Sequence, residues 1–201
     1  MTTDYVAIVG NGLRNTDSCQ EIEQAQAVIR FNSPPYTPEQ GGARTDLLFM
    51  VNSSHHMERW LSDSSFLQSP YVSNASRVIL PWHPDAVASF LPPVKLKHKL
   101  KGRKSHYTRQ AFNVFGAYGK EVSLLSKQFN IQCYKALGLR PEDRAEVMPS
   151  TGFMGITYVL DAFSQYHIRL YGFTWEGWSG HPWDKEYQWL SACDRISLPK
   201  G

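Results

Sequence analysis

A short apolar run near the amino terminus, followed at once by two glycines, constrains this chain more than any other feature. Residues Tyr5–Val9 (Tyr-Val-Ala-Ile-Val) have the length of one strand and do not alternate with polar residues. This is typical of a strand that is buried on both faces of a parallel sheet. Gly10–Gly12 (Gly-Asn-Gly) then predicts a tight turn. Because a parallel sheet is covered by helices on both faces, the segment favours an α/β fold.

Further strand and helix patterns extend this prediction. Ser18, with Glu21 three residues later, predicts a capping box that opens a short helix. Other strand-like runs are Ala27–Phe31, Asp46–Val51, Arg77–Leu80 and His167–Tyr171. Apolar spacing predicts a helix over Gly119–Leu137 and another after Gly152. We therefore expect one Rossmann-like, doubly wound, mostly parallel sheet in a single domain over residues 1–201.

Charge and cysteine usage limit the possible partners. The net charge is only +3, although six of the 21 lysines and arginines fall within Lys95–Lys104. So small a surplus predicts no nucleic-acid partner. Since lysine is rarely buried, the basic run predicts an exposed, mobile loop over Leu91–Arg109, with either no partner, an anionic acceptor or a peripheral membrane contact.

The cysteines are Cys19, Cys133 and Cys193, with no C-x-x-C pair and no signal-peptide or membrane-span pattern. This predicts reduced, structural thiols in a soluble, cytoplasmic protein.

Two turns place small residues between a strand-like segment and a helix, namely Val9–Gly12 and Pro149–Gly152 (Pro-Ser-Thr-Gly), the latter after Glu146–Met148. Backbone N–H groups at a helix N-terminus attract an anion, typically a phosphate. Both turns should lie at the carboxyl ends of strands, where open α/β sheets bind their ligands. The pair predicts a nucleotide site, although each turn alone is equally compatible with a structural role.

A dinucleotide fingerprint is the alternative for the first turn. Gly10 and Gly12 match two glycines of G-x-G-x-x-G, but Asn15 stands at the third position. The second strand ends near Arg30, where NAD sites place an acid. NAD is therefore disfavoured, whereas Arg30 could meet the 2′-phosphate of NADP. An NADP-dependent oxidoreductase stays open as the weakest alternative.

Three groups of segments, in a fixed order, resemble the motifs of one family. They are Val9–Gly12 with Gln20–Ile22, Val28–Asn32 and Gly42–Thr45; Pro149–Gly152 through Leu170–Phe173; and His181–Glu186, which fits H-x(4)-E. They are similar to the large, small and very small motifs of the animal-type sialyltransferases, glycosyltransferase family 29. Asn52–Met148 has no matching motif.

The resemblance implies a metal-independent, inverting glycosyltransferase on a GT-A-like variant of the Rossmann-like sheet. It would transfer a CMP-activated acidic sugar, sialic acid or Kdo, to a saccharide acceptor without a cofactor. His181 is implied as the general base, with Glu186 and Trp178 in support. The residues implied to bind the nucleotide or donor are Asn11, Gly12, Asn32, Ser150, Thr151 and Gly152. No metal site is expected, and the sequence contains no D-x-D motif.

The chain departs from the animal members of this family at two points. They carry a disulfide between the large and small motifs, whereas Asp4 and Gln165–His167 contain no cysteine, which fits a reducing cytosol and a bacterial-type member. They also carry a second histidine linked to the leaving phosphate, which Thr174–Gly180 lacks. The alternatives are replacement by His55, His56, His83 or His106, a different mechanism, or an inactive CMP-sugar-binding module.

Local patterns around the candidate residues leave further alternatives. Pro182 predicts the first position of a helix, with His181 as its cap at the pocket rim. His181 and Glu186 could instead be a helix-start histidine and a solvent carboxylate. Asn52–His56 could line the pocket or start a helix capped by one of its serines. Four tryptophans could form sugar platforms or pack against the sheet edge: Trp175, Trp178, Trp183 and Trp189.

Overall fold

A seven-stranded parallel sheet organises the computed structural model, which describes residues 4–12, 18–140 and 147–198. Its strands are β1 Tyr5–Val9, β2 Val28–Phe31, β3 Leu47–Phe49, β4 Arg77–Leu80, β5 Glu121–Leu124, β6 His167–Tyr171 and β7 Ile196–Ser197. Their order across the sheet is β5-β4-β3-β2-β1-β6-β7, and every pairing is parallel. The predicted α/β fold with a Rossmann-like parallel sheet is confirmed.

Helices connect the strands. They are α1 Cys19–Gln24, α2 Pro38–Gly41, α3 His55–Ser62, α4 Ser64–Leu67, α5 Pro70–Ser73, α6 Pro84–Phe90, α7 Leu96–Lys99, α8 Thr108–Ala117, α9 Lys127–Ala136, α10 Thr151–Ala162 and α11 Trp183–Ser191. Within the described ranges, none of these helices combines the length and apolarity needed to cross a bilayer.

The burial of β1 explains why its sequence does not alternate. Successive side chains of a strand point to opposite faces of the sheet. Val6 and Ile8 pack in the core that includes residues of α10, whereas Tyr5, Ala7 and Val9 pack on the other face with Ile22 of α1. Since both faces are covered, every position of β1 favours an apolar side chain.

The strand order creates a switch point beside β1. Strands β2 to β5 follow one another on one side of β1, whereas β6, which comes later in the chain, pairs with the other side of β1. The pairing continues past the strand ends, because the N–H of Gly10 donates to the carbonyl of Tyr171 (2.7 Å) and that of Gly12 to the carbonyl of Gly172 (2.9 Å). A crevice at the carboxyl ends of such strands is where open α/β sheets bind ligands.

The prediction of one helix over Gly119–Leu137 is wrong. The segment contains strand β5, paired with β4, and then helix α9. Gly119 adopts a left-handed φ of 73° before the strand, and the hydroxyl of Ser126 accepts from the N–H of Phe129 to start the helix (3.1 Å). Val122 and Leu125, three residues apart, fit one face of a helix, whereas Val122 and Leu124, two apart, fit one face of a strand, so spacing alone did not separate the two elements.

Smaller differences concern element ends. Ser18 precedes α1 but its side chain makes no capping hydrogen bond; Glu21 accepts instead from the hydroxyl of Tyr171 (3.0 Å), so the predicted capping box is wrong. Leu91–Arg109 is largely exposed, as expected, but contains α7 and the start of α8. Asn15 and Glu146 lie outside the described residues.

Candidate active site

A cavity of about 220 Å³ lies at the switch point. Predicted site residues that line it are Asn11, Gly12, Asn32, Ser150, Thr151, Gly152, His181 and Glu186. Only Trp178 of the predicted set does not. The cavity joins the turn after β1, the end of β2, the N-terminus of α10 and the start of α11, which are far apart in sequence.

The turn after β1 is closely packed against the turn after β6. A Cβ atom on Gly12 would lie 2.7 Å from Cγ2 of Thr174 and 2.9 Å from the carbonyl oxygen of Gly172. A Cβ atom on Gly10 would lie 2.6 Å from the same oxygen. Both glycines are therefore explained by the close approach of two backbones at the cavity wall.

Asn32 ends β2 in the left-handed region, with a φ of 53°, which asparagine tolerates better than most residues. Its N–H donates to the carbonyl of Phe49 (2.7 Å), and its Oδ1 accepts from the N–H of Val51 (2.9 Å). These bonds fix the side chain against β3. The Nδ2 amide group is what Asn32 can offer a ligand as a donor.

Ser150 caps α10 and at the same time binds a buried carboxyl group. Its hydroxyl accepts from the N–H of Phe153 (3.0 Å) and donates to Oε2 of Glu186 (2.7 Å). The N–H of Ser150 donates to Oε1 of Glu186 (2.7 Å). The hydroxyl of Ser150 is thus used within the protein, whereas the first-turn N–H groups of Thr151 and Gly152 have no partner inside the helix.

Glu186 is 1% exposed, so the interpretation as a solvent carboxylate is wrong. Burial raises its pKa to about 7, and the two hydrogen bonds from Ser150 oppose this rise. This carboxyl group lies directly behind the N-terminus of α10. It holds the start of α11 against the turn of the small motif.

His181 has a defined tautomer when neutral. Its Nδ1 lies 2.9 Å from the carbonyl oxygen of Met148; a carbonyl only accepts, so Nδ1 carries the proton and Nε2 the lone pair. Burial lowers the pKa of His181, and the bond to Met148 acts in the opposite direction. Trp178 and Trp183 contact the imidazole edge-on, at centroid distances of 4.8 and 5.0 Å. The imidazole is therefore held in place and favours its neutral form.

The start of α11 differs by one residue from the prediction. Pro182 is the cap and Trp183 the first helical residue, so His181 precedes the cap. The carbonyl of Pro182 accepts from the N–H of Glu186 (3.0 Å). His181 consequently lies outside the helix, where its side chain reaches the cavity.

No second histidine lines this cavity within the described part of the chain. His55 and His56 open α3, His83 caps α6, and His106 lines a different cavity. The prediction that one of these four replaces the missing histidine is therefore wrong.

Five residues that line the cavity were not predicted from the sequence: Phe31, Gly172, Phe173, Thr174 and Glu176. Most of them follow β6, and the rule that ligands bind at the carboxyl ends of strands could have found them.

The remaining candidates separate into lining and packing residues. Trp175 and Trp183 line the cavity, whereas Trp189 packs against Phe153 at 5.2 Å. Asn52 is buried and donates to the carbonyl of Trp82 (2.8 Å), and Ser54 caps α3. The segment Asn52–His56 is thus a helix start and does not line the cavity.

Arg30 cannot serve an NADP site in this conformation. It is fully buried, and its guanidinium donates to the carbonyls of Arg44 (2.9 Å) and Gly41 (2.7 Å) and to the hydroxyl of Tyr36 (3.0 Å). The NADP alternative loses the residue on which it rested.

Neither lysine nor arginine lines the cavity among the described residues, so N–H, amide and hydroxyl groups are its donors. The same residues contain no group of three or more histidine, cysteine, aspartate or glutamate side chains placed to hold a metal ion. The arrangement places the N-terminal turn of α10 and one half-buried imidazole on the same cavity.

The fold and the cavity define an α/β protein with a candidate ligand site at the switch point of a parallel sheet. The family model of glycosyltransferase family 29 (sialyltransferase) matches residues 3–194, and the chain therefore belongs to this family and is a sialyltransferase-like, CMP-sugar-dependent enzyme.

Solved structures share the fold. A mammalian sialyltransferase is 18% identical, with a TM-score of 0.57 over 99% of this chain and 70% of that one. A mammalian sialyltransferase in complex with Gal-beta-1-3GalNAc-ortho-nitrophenol gives the same identity and coverage with a TM-score of 0.56. No curated protein matches the sequence.

Proposed function

We propose that this protein transfers a CMP-activated acidic sugar, sialic acid or Kdo, to a saccharide acceptor, without a metal ion and with inversion at the anomeric carbon. The observation that carries the proposal is the shared cavity: the N-terminus of α10 and His181, with its lone pair on Nε2, line the same 220 Å³ space.

The donor's phosphate is proposed to lie against the first turn of α10. The N–H groups of Thr151 and Gly152 lie at the positive end of the helix dipole. The side-chain amides of Asn11 and Asn32, which line the same cavity, add neutral donors. Because these groups are already oriented, they stabilise the phosphate charge that develops as CMP leaves, with little reorganisation.

His181 is proposed to act as the general base. The acceptor hydroxyl oxygen attacks the anomeric carbon, the bond from that carbon to the CMP phosphate oxygen breaks, and the electron pair stays on the phosphate. Nε2 of His181 takes the hydroxyl proton. A single displacement of this kind inverts the anomeric configuration. The lowered pKa keeps the base neutral and ready near neutral pH.

Glu186 is proposed as a positioning residue. Its two hydrogen bonds with Ser150 join the donor-binding turn to the segment that carries His181, five residues earlier in the chain. Trp178 supports the same geometry through its contact with the imidazole.

Metal independence is part of the proposal and rests on the residues available. The sequence has no D-x-D motif, and a monophosphate leaving group needs less charge neutralisation than a diphosphate. We expect the activity to persist in the presence of EDTA. Loss of activity in EDTA would show that a metal is required. No cofactor and no nucleic-acid partner are proposed. A cytoplasmic location is supported by the free thiols of Cys19, Cys133 and Cys193.

The experiment is a CMP-release assay with CMP-sialic acid and CMP-Kdo in separate reactions, with and without saccharide acceptors. Galactosides are the first acceptors to test, since one mammalian structure holds such a ligand. We expect one donor to give acceptor-dependent CMP release and a product of inverted configuration by NMR. Binding of CMP without release from either donor would instead identify a nucleotide-binding module, the alternative that the missing second histidine favours.

A further inference from the structure

The stretch from residue 86 to residue 120 is strongly one-sided in charge. It contains eight lysines and arginines and no aspartate or glutamate, so the rest of the chain is net acidic. Lys95, Lys97, Lys99 and Lys101 are exposed, and none of them forms an ion pair within the described ranges. Their charge is available to an external partner.

Apolar side chains are exposed among these cations. Leu96 is 73% exposed and Leu100 is 80% exposed, and they lie four residues apart, at the first residue of α7 and at its C-cap. Of the six large hydrophobic side chains exposed in the described part of the chain, four fall in this acid-free stretch: Leu96, Leu100, Phe112 and Tyr118. Neighbouring exposed apolar groups, such as Leu96 and Leu100, mark a surface that contacts an apolar partner.

A cavity of about 820 Å³ lies beneath this segment. Val87, Leu91 and Pro92 from the end of α6 provide apolar lining, and Arg103, Lys104 and Arg109 provide cations. This pairing of apolar wall and cationic groups fits a molecule that is anionic at one end and apolar at the other.

The segment returns to the carboxyl edge of the sheet. The guanidinium of Arg103 donates to Nδ1 of His55 (3.3 Å), and the N–H of Tyr107 donates to the carbonyl of Asn52 (2.8 Å). Both partners follow β3, which lies two strands, or roughly 10 Å, from β1. The candidate active site opens at the same edge.

We propose that residues 95–104, here called the docking segment, bind the surface of an anionic membrane. Leu96 and Leu100 enter the interface, the lysines contact lipid phosphates, and the cavity between α6 and α8 takes one anionic headgroup. A soluble polyanion such as a nucleic acid would use the cations but offers no apolar phase for the leucines, and residues 95–104 contain no phenylalanine, tyrosine or tryptophan to stack on bases. The observations therefore favour a bilayer.

The test is vesicle flotation without any sugar donor, so its result is independent of the transferase proposal. We expect the wild-type protein to float with phosphatidylcholine vesicles that contain one third phosphatidylglycerol and not with phosphatidylcholine alone. Replacing Lys97, Lys99 and Lys101 by serine should weaken binding about 10²-fold. Replacing exposed Lys135 and Lys185, outside the segment, should change it by about twofold or less.

The leucines distinguish a membrane from a soluble polyanion. Leu96→Ser with Leu100→Ser should weaken vesicle binding about tenfold or more but leave retention on heparin unchanged, whereas the matched pair Leu96→Ile with Leu100→Ile should bind vesicles like the wild type. Unchanged circular dichroism verifies folding of each variant. The proposal is overturned if the wild type does not bind the anionic vesicles, or if the variant with Leu96→Ser and Leu100→Ser binds them as well as the wild type does.

Discussion

The two cavities at the carboxyl edge of the sheet differ in what would hold an anion. The small cavity at the β1/β6 switch point is lined by backbone turns, amides, the carboxyl groups of Glu176 and Glu186 and a half-buried imidazole, without lysine or arginine among the described residues. The larger one beneath the docking segment is lined by Lys99, Arg103, Lys104 and Arg109. Oriented dipoles recognise a defined group at short range, whereas exposed cations attract any anion and are screened by salt. We therefore propose that the first cavity selects its ligand and that the second contributes to binding an anionic surface.

The largest expected effect is on the transfer rate, where alanine variants of His181 and His106 should differ. His181 lines the small cavity and His106 the large one. His181→Ala should lower the transfer rate by about 10²–10⁴-fold, which is the usual contribution of a general base, with CMP affinity nearly unchanged. His106→Ala, the matched control, should leave the rate within about twofold. Equal losses in the two variants would break the distinction between the cavities.

A smaller effect concerns the pH dependence of stability. Glu186 has a pKa of about 7 in the folded protein against 4.5 for the free group, so the folded state binds its proton more tightly. The free energy of unfolding should therefore fall as pH rises from about 4.5 to about 7, by up to roughly 3 kcal/mol.

Glu186→Gln should remove this slope, because glutamine resembles the protonated carboxyl. Urea unfolding of both proteins at several pH values checks it, and parallel curves would contradict the assignment. The lowered pKa of His181 acts in the opposite sense, since its contribution to stability is lost as pH falls below about 6.5.

The next largest effect is the loss of unfolding free energy when the helix-capping serines Ser150 and Ser126 are replaced. Both hydroxyls accept from the N–H three residues later, but only Ser150 also donates to Glu186. Ser126→Ala should cost about 1 kcal/mol of unfolding free energy, and Ser150→Ala about 2–3 kcal/mol, because it also leaves a buried carboxyl without a donor. Equal costs would show that the bond to Glu186 contributes nothing.

The smallest effect is the change in stability when a methyl group is added to a glycine near each cavity. Gly12→Ala places a methyl group against Thr174 and the carbonyl of Gly172 and should cost about 1–2 kcal/mol. Gly116 lies in α8, which borders the larger cavity, and a Cβ there meets nothing within 4 Å. Gly116→Ala should raise stability by about 0.5–1 kcal/mol through helix propensity. Thermal unfolding of the two variants measures both changes.

The sequence predicted the central strands and most of the site because these depend on local pattern. Tyr5–Val9 is recognised as a strand by its apolar run and His167–Tyr171 by its alternation, and the small residues after β1 and before α10 mark the turns. What local pattern missed depends on partners distant in the chain. β5 exists because it pairs with β4, and the burial of Glu186 follows from Ser150, thirty-six residues away in sequence.

CMP binding to the wild-type protein in the presence of EDTA tests the central claim most directly. The cavity at the switch point predicts that CMP raises thermal stability more than UDP or NADP does. A hundredfold excess over Kd should add about 2.7 kcal/mol, and the shift should persist in His181→Ala. The absence of a CMP-dependent shift at millimolar concentration, or stabilisation by NADP but not by CMP, would contradict it.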